Sequence, residues 1–473
     1  MYAQKRPERL DMSRPNEVRT DLSKLSSFVN KLAIIIFNLS YSNIQTNNQK
    51  RKIDRLTSQT INVSISKRQK NKSSSMTVTS GQTYLAIPGP SVIPEAVLRS
   101  MHRSSPNIYE GELIEITESL IPDLNYVARS SGQVAIYIAN GHGIWEAALS
   151  NMVSAGDHVL VLATGKFAHG WAEMAKKMGI AVDILDFGKN RAVDFQVLSE
   201  KLNSEPKTKY KSILMTHVDT STSVKNDIAS VRQILDDTKS PALLAVDCIA
   251  SLACDRFEMD DWGVDIMVAA CQKGLMVPPG IGFVFFNDRA KERQKSLTNV
   301  SSYWDWAPRV NPSLYYEYFC GTAPTHHIYG LRTALDMIKL EGIEKTWKRH
   351  EVLSRAIWAA VDRWSSAGDI SLNVKNPSDR SHAVTSIRLG GKNGTQLRQW
   401  LQTKSGLTIG IGLGMSEPED PHGDGFVRFG HMGHVNTQMV MALLGAVETG
   451  LRAIGYKHGN GALEAASEIL STI

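Results

Sequence analysis

Hydrophobic and β-branched residues recur in seven short runs through the middle of the chain. The runs cover residues 134–138, 158–162, 181–185, 212–216, 242–247, 265–269 and 282–286. Their nearly continuous hydrophobicity is typical of strands covered on both faces, and the stretches between them, such as 143–153 and 169–178, are long enough for crossover helices. The pattern predicts an α/β fold with a predominantly parallel seven-stranded sheet in a large domain.

The pattern changes after a helical run at residues 329–340. A long helix is predicted at 343–364, and a final helix at 437–454. Between these helices lie three strand-like runs, at 383–389, 407–411 and 426–430. We therefore predict a leader at 1–75, an N-terminal arm and large domain at 76–342, and a smaller α+β domain at 343–473.

The positive charge of the chain is concentrated at its N-terminus. Residues 1–75 contain 15 Lys and Arg against 5 Asp and Glu. This leaves 38 of the 53 basic residues and 42 of the 47 acidic residues for the remainder, which carries a net charge of −4. That balance is ordinary for a metabolic enzyme, so we expect no nucleic-acid partner.

The basic leader allows several interpretations. Its longest apolar run, residues 32–39, is too short to span a bilayer, so we expect no membrane partner. That run also begins too late for a signal peptide, and four acidic residues among the first 21 argue against a mitochondrial leader. We interpret 1–75 as a disordered or artefactual extension ahead of a start at Met76, and expect a cytoplasmic protein, with organellar import left open.

The four cysteines are Cys248, Cys254, Cys271 and Cys320, and none forms a CxxC pair. A chain of 473 residues can bury a large core and does not need disulfides for stability. We therefore expect a reducing compartment and no metal site.

Three features at predicted strand ends could carry chemistry. The glycine-rich turn at 139–143 precedes a helix, whose N-terminus could bind an anion such as phosphate or could simply form a turn. Asp247 ends an apolar run, where an acid could contact a ligand or cap a turn. Lys273 follows a buried run, and an enclosed lysine there would have the lowered pKa that suits Schiff-base formation.

Six motifs in their order along the chain together resemble the class V aminotransferases, in particular the alanine/serine–glyoxylate group. They are IPGP (87–90), NGH (140–142), THVDT (216–220), VD (246–247), QKG (272–274) and VRFGHMG (427–433). The resemblance covers residues 84–455. It implies the fold-type I architecture, pyridoxal 5'-phosphate as cofactor, and a homodimer with active sites at the subunit boundary.

The resemblance also implies roles for individual residues in catalysis and substrate binding. Lys273 would hold the cofactor as a Schiff base and then move the substrate proton. Asp247 would pair with the pyridinium nitrogen of the cofactor. Arg428 would bind the α-carboxylate that every amino acid and 2-oxo acid substrate carries, because a guanidinium group binds a carboxylate through two parallel hydrogen bonds. Gly89 would contact the substrate.

Further residues match cofactor contacts of the family. Thr220 matches a hydroxyl near the phenolic oxygen, and Phe167 matches the aromatic ring that stacks on the pyridine. The positions that match phosphate contacts are Asn140, Gly141, His142, Gln272 and Thr322, the last reaching in from the neighbouring subunit. The sequence departs from the family just before Thr322, where Phe319, Cys320 and Gly321 replace the usual aromatic contact.

The implied activity is a ping-pong transfer of an amino group between small molecules. Serine or alanine, or else aspartate, would be the donor, and glyoxylate or pyruvate the acceptor. Two alternatives stay open at this point: a lyase or desulfurase of the same family, and a catalytically silent protein with the same fold.

Overall fold

The structure is a computed structural model that describes residues 81–298 and 300–472. The predicted leader at 1–75 lies outside these ranges. The strands are β1 (Tyr84–Ala86), β2 (Gln133–Ala139), β3 (His158–Ala163), β4 (Ala181–Asp186), β5 (Tyr210–Thr216), β6 (Val218–Asp219), β7 (Val224–Lys225), β8 (Leu243–Asp247), β9 (Ile266–Ala270), β10 (Gly280–Phe286), β11 (Ser371–Leu372), β12 (Val384–Arg388), β13 (Leu407–Ile411) and β14 (Phe426–Gly430).

The helices alternate with these strands through the first two thirds of the described chain. They are α1 (Glu95–Met101), α2 (Glu112–Ala128), α3 (Gly141–Met152), α4 (Lys166–Lys177), α5 (Phe195–Asn203), α6 (Ile228–Asp237), α7 (Asp288–Lys295), α8 (Ala307–Val310), α9 (Thr325–Glu341), α10 (Ile343–Ser365), α11 (Asn393–Trp400), α12 (Thr437–Ala453) and α13 (Ala462–Leu470). The predicted helices at 329–340, 343–364 and 437–454 correspond to α9, α10 and α12.

The seven predicted strands form one sheet in the order β2-β10-β9-β8-β5-β3-β4. The pairs within β9-β8-β5-β3-β4 are parallel, and β10 runs antiparallel to both β9 and β2. The prediction of an α/β fold with a predominantly parallel seven-stranded sheet is therefore confirmed.

Both faces of this sheet are buried, which explains the continuous apolar runs. Leu160 and Leu162 belong to one hydrophobic cluster, whereas Val159 and Val161 belong to a second cluster. Successive side chains of a strand point to opposite faces, so the two clusters cover the two faces. Full burial of each such aliphatic side chain stabilises the fold by roughly 1.5–3 kcal/mol.

A second sheet has the order β1-β13-β14-β12-β11. Its three central strands are those predicted near the C-terminus, but β1 and β11 were missed. β1 pairs in parallel with β13 and so brings the start of the described chain against the C-terminal sheet. The predicted domain boundary at 342 and 343 falls between α9 and α10 and stays a prediction.

The parallel strands of the large sheet bring several chain segments to one edge. Thr216, the last residue of β5, pairs with Asp247, the last residue of β8. The turn before α3 follows β2, and the turn before α4 follows β3. This is the edge where open α/β sheets bind ligands.

Within residues 81–298 and 300–472, the structure contains no helix with the length and hydropathy of a membrane span.

Candidate active site

A cavity of about 270 Å³, here called the first cavity, lies at this edge of the sheet. Nine of the eleven residues predicted for the site line it. They are Gly89, Asn140, Gly141, His142, Phe167, Thr220, Asp247, Gln272 and Lys273. Arg428 and Thr322 do not line the first cavity.

The N-terminus of α3 faces the first cavity. The side chain of Asn140 caps the helix, since its oxygen accepts hydrogen bonds from the backbone N–H groups of His142 (3.1 Å) and Gly143 (3.3 Å). A Cβ atom at Gly141 would lie 2.7 Å from the terminal methyl group of Ile249, so a larger residue here would have to displace that side chain. The helix N-terminus carries a partial positive charge, and the turn can therefore bind an anionic group.

Asp247 is a buried carboxylate without a cationic hydrogen-bond partner in the described chain. Its oxygens accept hydrogen bonds from the indole N–H of Trp145 (2.9 Å) and the backbone N–H of Ile249 (2.7 Å). Burial raises the pKa of Asp247 to about 7, although these two donors oppose the shift. A ligand cation beside Asp247 would compensate its negative charge and lower that pKa.

Lys273 presents a buried amine to the same cavity. Its Nζ donates a hydrogen bond to the backbone carbonyl of Pro88. Burial lowers the pKa of Lys273 to about 8, helped by the positive charge of Arg428 and opposed by the negative charge of Asp247. Near neutral pH a useful fraction of this amine is unprotonated, and only that form is nucleophilic.

The segment around Gly89 covers the lysine. A Cβ atom at Gly89 would collide with the Lys273 side chain. The Ser91 hydroxyl donates to the carbonyl of Lys273 at 2.7 Å, and the Ser91 N–H donates to the carbonyl of Gln272 at 2.9 Å. The side-chain oxygen of Gln272 is buried without a hydrogen-bond partner, as expected for a group that meets a ligand.

Asp219 positions the aromatic wall of the first cavity, a role that the sequence analysis missed. One oxygen of this buried carboxylate accepts from the backbone N–H groups of Phe167 (2.8 Å) and Ala168 (3.3 Å), at the start of α4. The other accepts from the backbone N–H of Ser221 at 2.9 Å. A Cβ atom at Gly165 would overlap the Asp219 carboxylate, so a glycine precedes α4. Asp219 thus fixes the backbone that carries Phe167.

Arg428 is hydrogen-bonded to the backbone of Thr220, which lines the first cavity. Its Nη1 donates to the backbone carbonyl of Thr220 at 2.8 Å, and its Nε donates to the backbone carbonyl of Ile411 at 2.6 Å. Burial lowers the pKa of Arg428 to about 10, and the charge of Asp219 opposes this shift. The two carbonyls hold the guanidinium plane in one orientation.

Thr322 is exposed and lies away from the first cavity of its own chain. The preceding Phe319 is buried in the core of the large sheet, and Cys320 ends the short helix there with a left-handed backbone conformation (φ 52°). Phe319 is therefore a core residue of its own chain, whereas the family pattern has a cofactor contact at this position.

Trp145 is the other site residue that sequence reasoning missed. Its side chain lines the first cavity, donates to Asp247, and contacts the ring of Phe167 edge-on with 6.3 Å between ring centroids. The sequence could have predicted this position, because Trp145 lies four residues after Gly141 and so shares one face of α3 with it.

The chain is similar in sequence to known aminotransferases. A family model described as aminotransferase class-V matches residues 126–440. The chain is 32% identical to a serine–glyoxylate aminotransferase from Arabidopsis thaliana, over 80% of this chain and 92% of that protein. It is 30% identical to an L-aspartate–glyoxylate aminotransferase from Paracoccus denitrificans, over 79% and 92% of the two chains.

A solved structure supports the same fold. The crystal structure of a ureidoglycine–glyoxylate aminotransferase from Bacillus subtilis superposes with a TM-score of 0.74 at 21% identity. The match covers 83% of this chain and 99% of that chain.

Proposed function

Because the chain belongs to the class-V aminotransferase family, we propose that it transfers the amino group of serine, alanine or aspartate to a small 2-oxo acid such as glyoxylate or pyruvate. The observation that carries this proposal is the pairing of a buried amine, Lys273, with a buried carboxylate, Asp247, on one cavity. The cavity also receives the N-terminus of α3, which favours an anionic group.

The chain is a pyridoxal-phosphate-dependent enzyme, and the first cavity fits that cofactor. Its phosphate matches the α3 N-terminus, and its ring nitrogen, when protonated, supplies the cation that Asp247 lacks. When bound, pyridoxal phosphate accepts the amino group at its aldehyde carbon and withdraws electrons from the substrate Cα. Asn140, Gly141, His142, and Gln272 would hold the phosphate end.

Four residues of the chain have proposed roles in positioning the cofactor and moving the proton. Asp247 holds a positive charge at the ring nitrogen, which keeps the ring electron-withdrawing. Lys273, with its lowered pKa, takes and returns the proton at the substrate Cα. Phe167, whose backbone is fixed by Asp219, would limit the position of the cofactor ring. Thr220 would offer a hydroxyl to the phenolic oxygen of the cofactor.

Substrate recognition is assigned to Arg428 and Gly89. The Arg428 guanidinium is held by two backbone carbonyls, which leaves Nη2 and the second hydrogen of Nη1 for a carboxylate. Gly89 lets the backbone approach the lysine closely, because a Cβ atom at this position would overlap the Lys273 side chain. A carboxylate bound there would keep the Cα near the Lys273 amine.

Replacing Arg428 with lysine should lower kcat/KM about ten- to a hundredfold. Lysine keeps the charge but loses the planar group, and a charge-assisted hydrogen bond contributes about 1.5–3 kcal/mol. Single-turnover kinetics should show both half-reactions slowed together, because donor and acceptor share the carboxylate. Arg388→Lys is the matched control, since Arg388 lies exposed at the end of the neighbouring strand β12. If only one half-reaction were slowed, or if bound cofactor were lost, Arg428 would not be the residue that binds the shared carboxylate.

The environments of Cys254 and Cys271, which are two of the four cysteines, do not favour the desulfurase alternative. Cys271 is buried beside Gln272, and burial raises the pKa of Cys271 to about 12, as it does for Cys254. A nucleophilic cysteine needs an accessible thiolate, which these environments oppose. A matrix of amino donors against 2-oxo acids, with assays for sulfide and ammonia release, tests the proposal. Amino transfer without either release supports it, whereas release from cysteine or serine without transfer contradicts it.

We further propose a homodimer in which Thr322 contacts the cofactor phosphate of the neighbouring subunit. The support is the family resemblance and the exposure of Thr322. The cytoplasmic location stays a prediction.

Deleting residues 1–75 should leave amino transfer and dimerisation unchanged. The segment has a net charge of +10 and its second half lacks a sustained apolar pattern, so it offers little surface to bury against the catalytic body. Size-exclusion chromatography with light scattering and an activity assay on both chains provide the check. An insoluble or inactive shortened chain would show that the leader has a structural role.

A further inference from the structure

A second cavity, of about 700 Å³, lies beside the large sheet and shares no lining residue with the first cavity. Its walls come from the segment 191–195, from the end of β7 and the start of α6, and from the segment 376–382. Trp262 and Phe195 supply aromatic surface. Nothing in the proposed transfer reaction uses this space.

His217 is a polar side chain in the second cavity that has no partner. It is 2% exposed and lines the cavity. Its Nδ1 is buried without a hydrogen-bond partner, and no described residue bonds to its other ring nitrogen. The ring is flanked by Phe257 and Trp262, with centroids 5.5 and 5.8 Å away. Burial lowers the pKa of His217 to about 4, so the neutral ring offers one donor and one acceptor.

Two of the three cationic side chains that line the second cavity have partners in the described chain: Arg191 donates to a backbone carbonyl, and Arg256 pairs with Glu258 at 3.0 Å. The carboxylate of Asp194 accepts two backbone N–H groups at the start of α5, and that of Asp227 accepts one at the start of α6. Lys225, by contrast, makes no hydrogen bond or ion pair with any described residue. It lies close enough to His217 to affect its pKa.

The neighbouring acid Asp255 forms no ion pair with Lys225, although the charge of Lys225 contributes to lowering the pKa of Asp255. Asp255 is buried nearby, but its oxygens accept from the Ser381 hydroxyl (2.9 Å) and from the backbone N–H of His382 (2.9 Å). The His382 ring also lies 3.3 Å from Asp255. The hydrogen bonds of the Asp255 carboxylate are therefore made to residues 381–382 and not to Lys225.

We propose that the second cavity is a binding site for a small organic anion that carries one carboxylate and a short apolar body. The carboxylate would pair with Lys225 and accept the N–H of the neutral His217 ring. The apolar body would pack on Trp262 and Phe195. In this arrangement the anion would be the hydrogen-bond acceptor for His217 and the ion-pair partner of Lys225.

The second cavity is linked to the strands that carry the candidate active site. The backbone N–H of His217 donates to the carbonyl of Asp247 at 2.9 Å, and the following residue, Val218, lines the first cavity. Asn226, which lines the second cavity, donates to the carbonyl of Thr216 at 2.9 Å. An anion bound to His217 would therefore lie next to Val218, a residue that lines the first cavity, without entering the first cavity itself.

The probe for this site is 4-fluorobenzoate, which has a carboxylate and an apolar ring and neither an amino nor a keto group. Fluorine NMR titration of the holoenzyme should show saturable binding. Lys225→Met should weaken it by about tenfold or more, the usual effect of losing a charge-assisted hydrogen bond. Ala192→Trp, which fills the cavity from the segment 191–195 without removing a charge, should abolish it. Both variants should retain amino transfer, which verifies the fold.

Two matched controls separate this site from the substrate site. Arg428→Lys should leave probe binding unchanged, because Arg428 does not line the second cavity and its proposed role is in substrate binding. Lys177→Met, at an exposed position on α4, should also leave it unchanged. Wild-type binding in the Lys225→Met and Ala192→Trp variants, loss of binding in Arg428→Lys alone, or no saturable binding below about 10 mM would each overturn the proposal.

Discussion

Replacing Lys273 with alanine is expected to reduce amino transfer by about a thousandfold or more while the fold survives. If Lys273 has its proposed roles, the variant loses both the amine that would hold the cofactor and the group that would move the Cα proton, and general acid–base catalysis alone contributes about 10²–10⁴-fold. The fold should tolerate the change, because the amine makes one backbone hydrogen bond, to Pro88, and burying a charged amine is unfavourable.

Steady-state assays and thermal unfolding of the purified variant provide the measurement. Lys177→Ala is the control, since Lys177 is exposed at the end of α4 and should keep wild-type activity. Near-native transfer by Lys273→Ala would rule out this lysine as the cofactor residue. An unfolded variant would show that Lys273 is required for stability instead.

Replacing Asp247 with asparagine should weaken cofactor binding by about a hundredfold or more and slow turnover as well. Asparagine keeps one oxygen that can accept a hydrogen bond from Trp145 or Ile249, but it lacks the negative charge that we propose to pair with the ring nitrogen. Removing one member of a buried ion pair costs about 3–5 kcal/mol, which sets the scale of the loss. Equilibrium dialysis of the cofactor and kcat measured at saturating cofactor separate the two effects.

Asp265 provides a matched control for Asp247. It is also a fully buried acid beside the large sheet, but it precedes β9 at the opposite edge, where it accepts the backbone N–H of Leu244 and pairs with Arg289. Asp265→Asn should lower the melting temperature without changing cofactor affinity. If Asp247→Asn behaved in the same way, Asp247 would be a structural cap at the strand end.

The large sheet could be predicted because its central strands are buried on both faces, whereas the edge strand β4 is only half-buried. Each of the seven strands is a nearly uninterrupted apolar run, a pattern that survives without knowledge of the tertiary structure. β11, with two residues, and β1, with three, are too short to show such a pattern. β1 also pairs with β13 from the far end of the chain, and no local signal predicts that contact.

The site was predictable where the chemistry lies in single residues at strand ends, as for Asp247 and Lys273. Asp219 shows the limit of this reasoning. Its neighbours in the sequence place it after β5, but its hydrogen bonds are made to the start of α4, more than fifty residues earlier in the chain. The second cavity was missed for the same reason, since its walls come from segments that are distant in sequence.

The most direct test of the account is to locate the cofactor on the chain. The holoenzyme is reduced with borohydride, which makes the bond between cofactor and amine permanent, and its peptides are then sequenced by mass spectrometry. We expect the phosphopyridoxyl group on Lys273 and on no other lysine. The same group found on another lysine, with Lys273 unmodified, would contradict it.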